Sequence, residues 1–149
     1  MSGTQRDFNE VYGLKFEDLY VGRTASASRT ISEADILMFA GVSGDTNPVH
    51  LDEEFAASTM FGGRIAHGML SAGLISAVFG TRLPGPGCIY LSQSLKFKAP
   101  VKIGDTVVAR VTVTELKNEK RRAIFSTVCS VGDQIVLDGE AEILVPTRK

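Results

Sequence analysis

One segment constrains the fold more than any other. From Ala66 to about Phe79 the chain is nearly all small or apolar, with Met69, Leu70, Ala72, Leu74, Ile75, Ala77, Val78 and Phe79 interrupted by Ser71 and Ser76. A helix with no polar face is a buried helix. This one is too short to cross a bilayer, which takes about 20 apolar residues. Pro84-Gly85-Pro86-Gly87 closes it with a loop. Everything downstream reads as strand. Cys88 to Lys98 is one run, and Thr106 to Lys117 is a second with Val107, Ala109, Val111 and Val113 on one face. Ala123 to Val131 is a third. Gly132-Asp133 then marks a hairpin, and Ile135 to Val145 is a fourth run, with Ile135, Leu137, Ala141, Ile143 and Val145 expected inside and Glu140 and Glu142 outside. A sheet must bury a face against something. The one element apolar enough to serve is the helix at 66–79. The expected architecture is therefore α+β: a curved antiparallel sheet wrapped around a central hydrophobic helix.

The upstream third has helical segments. Met1 to Tyr12 is polar and expected to be loosely held, and Thr24 to Thr30 is a candidate first strand. Ser32 with Asp35 three residues on is a variant of the capping box. It precedes the stripe Ile36, Leu37, Phe39, Ala40 and Val42, and Gly44 suits the C-terminal end. Pro48 lacks an N–H and pushes Asn47 towards an extended conformation, so Asp45 to His50 reads as a proline-broken loop. Asp52 caps a short helix over 53–58. A length of 149 residues favours one domain, residues 1–149, able to bury a core without staples.

Composition removes several classes of function. Net charge is −1 at pH 7, with basic residues scattered, so no electrostatic footprint for nucleic acid or an anionic membrane appears. Lys120-Arg121-Arg122 reads as a solvated turn. Cys88 and Cys129 sit in apolar runs without a CxxC or Cys/His cluster, and read as two buried reduced thiols. The first ten residues carry no apolar core of a secretory signal, so the expected compartment is the cytoplasm, with an organelle matrix as the alternative.

The chain has two histidines, His50 and His67, which narrows the search for an acid or base active near neutral pH. A turn between Asp45 and His50 can bring carboxylate and imidazole to one small volume, where they would hold and deprotonate one water. The residue types alone leave a second reading open: Gly-Asp-Thr-Asn-Pro is good turn chemistry, with His50 a satisfied surface group. A metal site from Asp45, His50, Asp52 and His67 is disfavoured, since no HxH or HxxxH pair exists. Gly62-Gly63-Arg64-Ile65-Ala66-His67-Gly68-Met69 leads into the buried helix. The Gly68 N–H, at a helix start, would suit the oxygen of a thioester, and close backbone packing explains this glycine equally well. Ser76 and Ser71 fit hydroxyls bonding back to the preceding turn of the helix.

Three blocks together carry a resemblance. Phe39-Ala40-Gly41-Val42-Ser43-Gly44-Asp45-Thr46-Asn47-Pro48-Val49-His50 resembles the hydratase signature of MaoC-type dehydratases. Phe61 to Leu70 is similar to the family's second block. Ile89 to Phe97, with Pro100-Val101 and Gly104-Asp105-Thr106, is similar to the strand and turn that follow. The resemblance spans roughly Phe16 to Val145 and implies a hot-dog fold. Within the family, the single-domain length resembles the stand-alone (R)-specific enoyl-CoA hydratases that feed polyhydroxyalkanoate synthesis. The resemblance implies that Asp45 is the general base and His50 its partner on the same water, with Asn47 orienting the loop. The Gly68 N–H would hold the thioester oxygen, Ser76 would support the catalytic loop, and Phe79, pointing into the acyl pocket, would shorten the accepted chain. It implies a homodimer with the CoA arm held between subunits, and neither a metal nor another cofactor. A hot-dog thioesterase, a dehydratase acting on acyl carrier protein and a non-catalytic acyl-CoA-binding module remain as alternatives.

Overall fold

The computed structural model describes residues 5–148. Strict alternation makes Thr106–Lys117 the long strand β4 of the present structure, and its Val107, Ala109, Val111 and Val113 are all buried as expected. Numbering in chain order, the other elements are β1 (Thr24–Thr30), α1 (Glu33–Ser43), α2 (Pro48–Leu51), α3 (Glu53–Ala57), α4 (Gly68–Thr81), β2 (Ile89–Gln93), β3 (Lys96–Phe97), β5 (Arg122–Val131) and β6 (Gln134–Leu144). The sheet runs in the order β1-β4-β5-β6-β2, with β3 also paired to β6. All pairings are antiparallel. Helix α4 packs chiefly on β4 and β1. This is the expected α+β hot-dog arrangement, and the sheet is not closed into a barrel.

The expected run from Cys88 to Lys98 is two strands, not one. Gly139 of β6 explains the break: a Cβ there would sit 1.8 Å from the Ser94 carbonyl oxygen, so the 94–95 link presses onto bare backbone. The expected faces of the last strand also need correction at their start. Cys129 pairs with Leu137 but Ser130 with Ile135, which leaves Val136 as an extra residue in a β-bulge. The bulge turns Ile135 outward, 42% exposed, and brings both Val136 and Leu137 inside.

Helix α4 starts and ends two residues later than expected, and it is not buried all round. Ser71, Ile75, Val78 and Phe79 face the sheet, whereas Gly73, Ser76, Ala77 and Gly80 form an exposed face of small residues. One sheet can cover only one side of a helix.

Upstream, the Ser32 capping box forms as expected. Ser32 Oγ accepts from the Asp35 N–H at 3.1 Å, and Asp35 accepts from the Ser32 N–H at 3.0 Å. Asp35 also meets Arg29 in an ion pair of 2.6 Å. These contacts, Arg29 first, hold the Asp35 carboxyl down to about 2 from its ordinary 3.8. Of the expected 1–12 segment, residues 1–4 lie outside the described residues. Phe8–Glu10 form a short 3-10 turn. Tyr12 packs against Gly87, where a Cβ would come within 2.4 Å of its ring.

Candidate active site

The end of α1 sets up the first half of the site. Gly44 takes a left-handed conformation at φ 77°, and its N–H donates to Ala40 O, which stops the helix and delivers Asp45. Asp45 is exposed and held locally. Its N–H donates to Ser43 Oγ at 3.1 Å, and its Oδ1 accepts from the Asn47 N–H at 3.3 Å. Asn47 is extended at ψ 127°, as a residue before proline must be. Here the expectation of a loop is corrected. Pro48 does not break structure but starts α2, its missing N–H harmless at the first helical position. Asn47 caps this turn, its Oδ1 accepting from the Val49 N–H at 3.1 Å. The turn rotates His50 inward, where it is 7% exposed.

The segment before α4 supplies the second half. His50 Nδ1 lies 2.8 Å from the Ile65 carbonyl oxygen. A carbonyl only accepts, so Nδ1 carries a proton, and in the neutral ring Nε2 keeps its lone pair. His67 Nε2 lies 2.9 Å from the Asp45 main-chain carbonyl and must donate to it by the same reasoning. The two imidazoles stack with centroids 3.8 Å apart and planes at 28°. Nitrogen and oxygen atoms of Asp45, His50 and His67 lie within 4.8 Å of one another.

This cluster opens on a cavity of about 470 Å³ at the N-terminus of α4. Its wall includes Asp45, His50, His67, Gly68 and Ser71, and its apolar part includes Phe61, Met69, Phe97, Val101, Val136 and Leu137. Gly68 is the first residue of α4, so its N–H has no carbonyl one turn earlier in the helix. The missing Cβ has a packing cause: the Phe97 ring occupies the space, 2.6 Å from where a Cβ would stand. Substrate approach is therefore not what that vacancy serves, although Gly68 does border the cavity.

Three expected residues lie apart from the cavity wall. Asn47 is exposed and acts on the loop through its cap. Ser76 is on the exposed face of α4, outside the cavity wall. Phe79 is 1% exposed in the core, packed edge-on against Phe125 and Tyr90 at 4.9 and 5.2 Å. It does not border this cavity. The sheet behind α4 draws Phe79 into the core. Sequence reasoning missed Ser71, Phe97 and Val136 as cavity residues. Ser71 shares the sheet-facing stripe with Ile75 and Val78, a helical spacing visible in the sequence; nothing local marks the other two.

A divalent metal fits this donor set poorly. Zinc needs lone pairs converging at about 2.0–2.1 Å, and stacked rings aim their nitrogens along neighbouring planes. One nitrogen of each ring is already committed to a carbonyl. Asp52 caps α3 through the Phe55 N–H at 3.1 Å and is not part of the cluster. Two acceptors facing one small volume suit a water, which has two O–H donors to give.

The model of the MaoC-like domain matches residues 20–133. The chain belongs to the MaoC-like family. A MaoC-like relative from Rhodospirillum rubrum, an (R)-specific enoyl-CoA hydratase, is 62% identical over 133 residues, 89% of this chain and 92% of the relative. The 3-hydroxybutyryl-CoA dehydratase of Methylorubrum extorquens is 57% identical over 140 residues, 94% of this chain and 89% of that one. Among solved structures, the (R)-hydratase from Aeromonas caviae involved in PHA biosynthesis superposes with a TM-score of 0.85 at 45% identity, covering 87% of this chain and 99% of that chain. No helix among the described residues of this MaoC-like chain is long and apolar enough to cross a membrane.

Proposed function

We propose that the chain is an (R)-specific enoyl-CoA hydratase, adding water reversibly to a trans-2-enoyl-CoA to give the (R)-3-hydroxyacyl-CoA. The observation that carries this is the meeting of Asp45 and His50 at the mouth of an apolar cavity beside the Gly68 N–H. A water donating one hydrogen to the Asp45 carboxylate and the other to His50 Nε2 keeps its lone pairs free for Cβ. Asp45 takes a proton as the oxygen bonds to Cβ. The double-bond electrons move onto the thioester oxygen, where the Gly68 N–H and the start of α4 stabilise the negative charge. The proton is then passed to Cα with the help of His50, and Asp45 returns to its ionised form. The reading needs no metal or redox cofactor.

The family relatives support the same chemistry by their names. A homodimer is part of the proposal, supported by the exposed small-residue face of α4 and by Ile89, Tyr90 and Leu91 on edge strand β2, which are 54%, 38% and 41% exposed. The proposal also places this single domain in the cytoplasm, supplying monomers for polyhydroxyalkanoate synthesis.

The test is Asp45→Asn and His50→Gln, each assayed by loss of enoyl absorbance with crotonyl-CoA and by chiral analysis of the product. Each should lose on the order of 100-fold or more in rate. Folded variants at near wild-type rates would end the reading, as would release of free CoA as the main product.

A further inference from the structure

We propose that His67 is a positioning residue of the hydration: its Nε2–H fixes the Asp45 main chain, and its ring face backs His50. This rests on the reading above, that Asp45 and His50 share a water. Asp45 is exposed, and its other hydrogen bonds go to Ser43, the last residue of α1, and to Asn47, each two residues away in sequence. Such contacts tie Asp45 to the end of α1 but not to the segment that holds His50. Among the described residues, the bond from His67 is the one hydrogen bond joining Asp45 to a separate part of the chain, 22 residues away.

The segment carrying His67 also grips His50. Arg64 Nε donates to the His50 carbonyl at 2.6 Å, the Ile65 N–H donates to the Val49 carbonyl at 3.2 Å, and the Ile65 carbonyl accepts from His50 Nδ1 at 2.8 Å. Arg64 is in turn paired to Glu33 of α1 at 2.8 Å. One short strap therefore sets both reacting groups, and it runs straight into the helix start that would receive the thioester oxygen.

Space-filling does not account for a histidine here. Its ring is 2% exposed, between Phe39 at 4.7 Å and His50 at 3.8 Å. Its Nδ1 is the one buried side-chain nitrogen or oxygen among the described residues with no partner. A buried polar atom without a partner asks for an explanation. A phenyl ring would fill the site without one. What a phenyl ring lacks is the N–H aimed at Asp45.

The experiment compares wild type, His67→Phe and His67→Gln on crotonyl-CoA. Phe keeps the flat ring and removes the donor. Gln removes the ring but carries an amide N–H that reaches the place of Nε2. Misplacing a base costs turnover rather than binding, so His67→Phe should lose about 10- to 100-fold in kcat with KM changed by about two-fold at most. His67→Gln should recover several-fold of that loss. A kcat for His67→Phe within about two-fold of wild type, a change confined to KM, or a Gln variant no better than Phe overturns the inference. Nitrogen-15 NMR of the wild-type imidazoles at alkaline pH tests the bond without any variant. A proton on Nε2 of His67 is expected, and a proton on Nδ1 overturns the assignment. If wild type fails to hydrate crotonyl-CoA, or Asp45→Asn matches it, the hydratase reading fails instead, and the NMR result still judges the hydrogen bond alone.

Discussion

The meander of β4, β5 and β6 and the corner formed by residues 44–51 with 62–68 are held together in opposite ways. The meander rests on repetition. Each strand contributes several buried side chains to a shared core, and ladder bonds continue on either side of any one residue. The corner rests on a few unlike contacts: His67 to Asp45, His50 to the Ile65 carbonyl, the Ile65 N–H to the Val49 carbonyl, and Arg64 to the His50 carbonyl. Redundant interactions tolerate the loss of one member in proportion to its size. Unlike contacts cannot replace one another, but they fail locally. Damage to the meander should therefore appear as lost stability, and damage to the corner as lost rate.

The largest effect that sharpens this contrast is Phe125→Ala. Phe125 is fully buried on β5, edge-on to Phe79, and its truncation should cost about 3–5 kcal/mol, read as a fall in Tm on the order of 10 °C, with kcat of the folded fraction near wild type. Asp45→Asn is its mirror: a rate loss of about 100-fold, equivalent to roughly 2.7 kcal/mol of barrier, at a stability within about 0.5 kcal/mol of wild type because the side chain is exposed. If Asp45→Asn lowers Tm as far as Phe125→Ala does, the division between the two regions is wrong.

Gly68→Ala falls between them, since the added carbon would stand 2.6 Å from the Phe97 ring. Moving that ring should cost about 1–3 kcal/mol and also slow turnover, and denaturant melts run alongside kinetics will separate the parts. Next comes Asp35→Ala, a cap and ion pair worth about 1 kcal/mol. Its pH dependence has a defined sign. The folded carboxyl is depressed to about 2 from 3.8, so its stabilisation is complete above the unfolded value and is lost as pH falls from about 4 towards 2. Melting curves of wild type and Asp35→Ala should converge at the acid end of that window. The smallest effect is Arg110→Ala, exposed on β4 beside the fully buried Val111. It should stay within about 0.5 kcal/mol, and a larger loss would mean the outer face of the sheet is not simply solvated.

The same contrast governs what could be read without coordinates. Alternation along Thr106–Lys117 is a local, repeated signal, and it named the four buried residues of β4 correctly. The Ser32–Asp35 box and the Gly44 stop are likewise local. A β-bulge is a single-residue event, so alternation continued through it gave Ile135 the wrong face and left Val136 out. Pro48 was read for what proline forbids inside a helix rather than for what it permits at a helix start, which hid the turn that buries His50. At the site, Asp45 and His50 stood out because they are near in sequence. The contact of His67 with Asp45 spans 22 residues, and no pattern within either segment announces it. Ser76 and Phe79 came from the family resemblance, and within this chain the sheet-facing side of α4 puts Ser71, not Ser76, beside the cavity.

Val136 has no partner on β5, yet it lines the cavity, and its carbonyl accepts from the Lys98 N–H at 2.8 Å on the other side. Every other inward position on β6 is matched to a partner whose bulk must change with it. At Val136 a larger or smaller side chain can change the volume of the chamber while the pairing of β5 with β6 stays as it is.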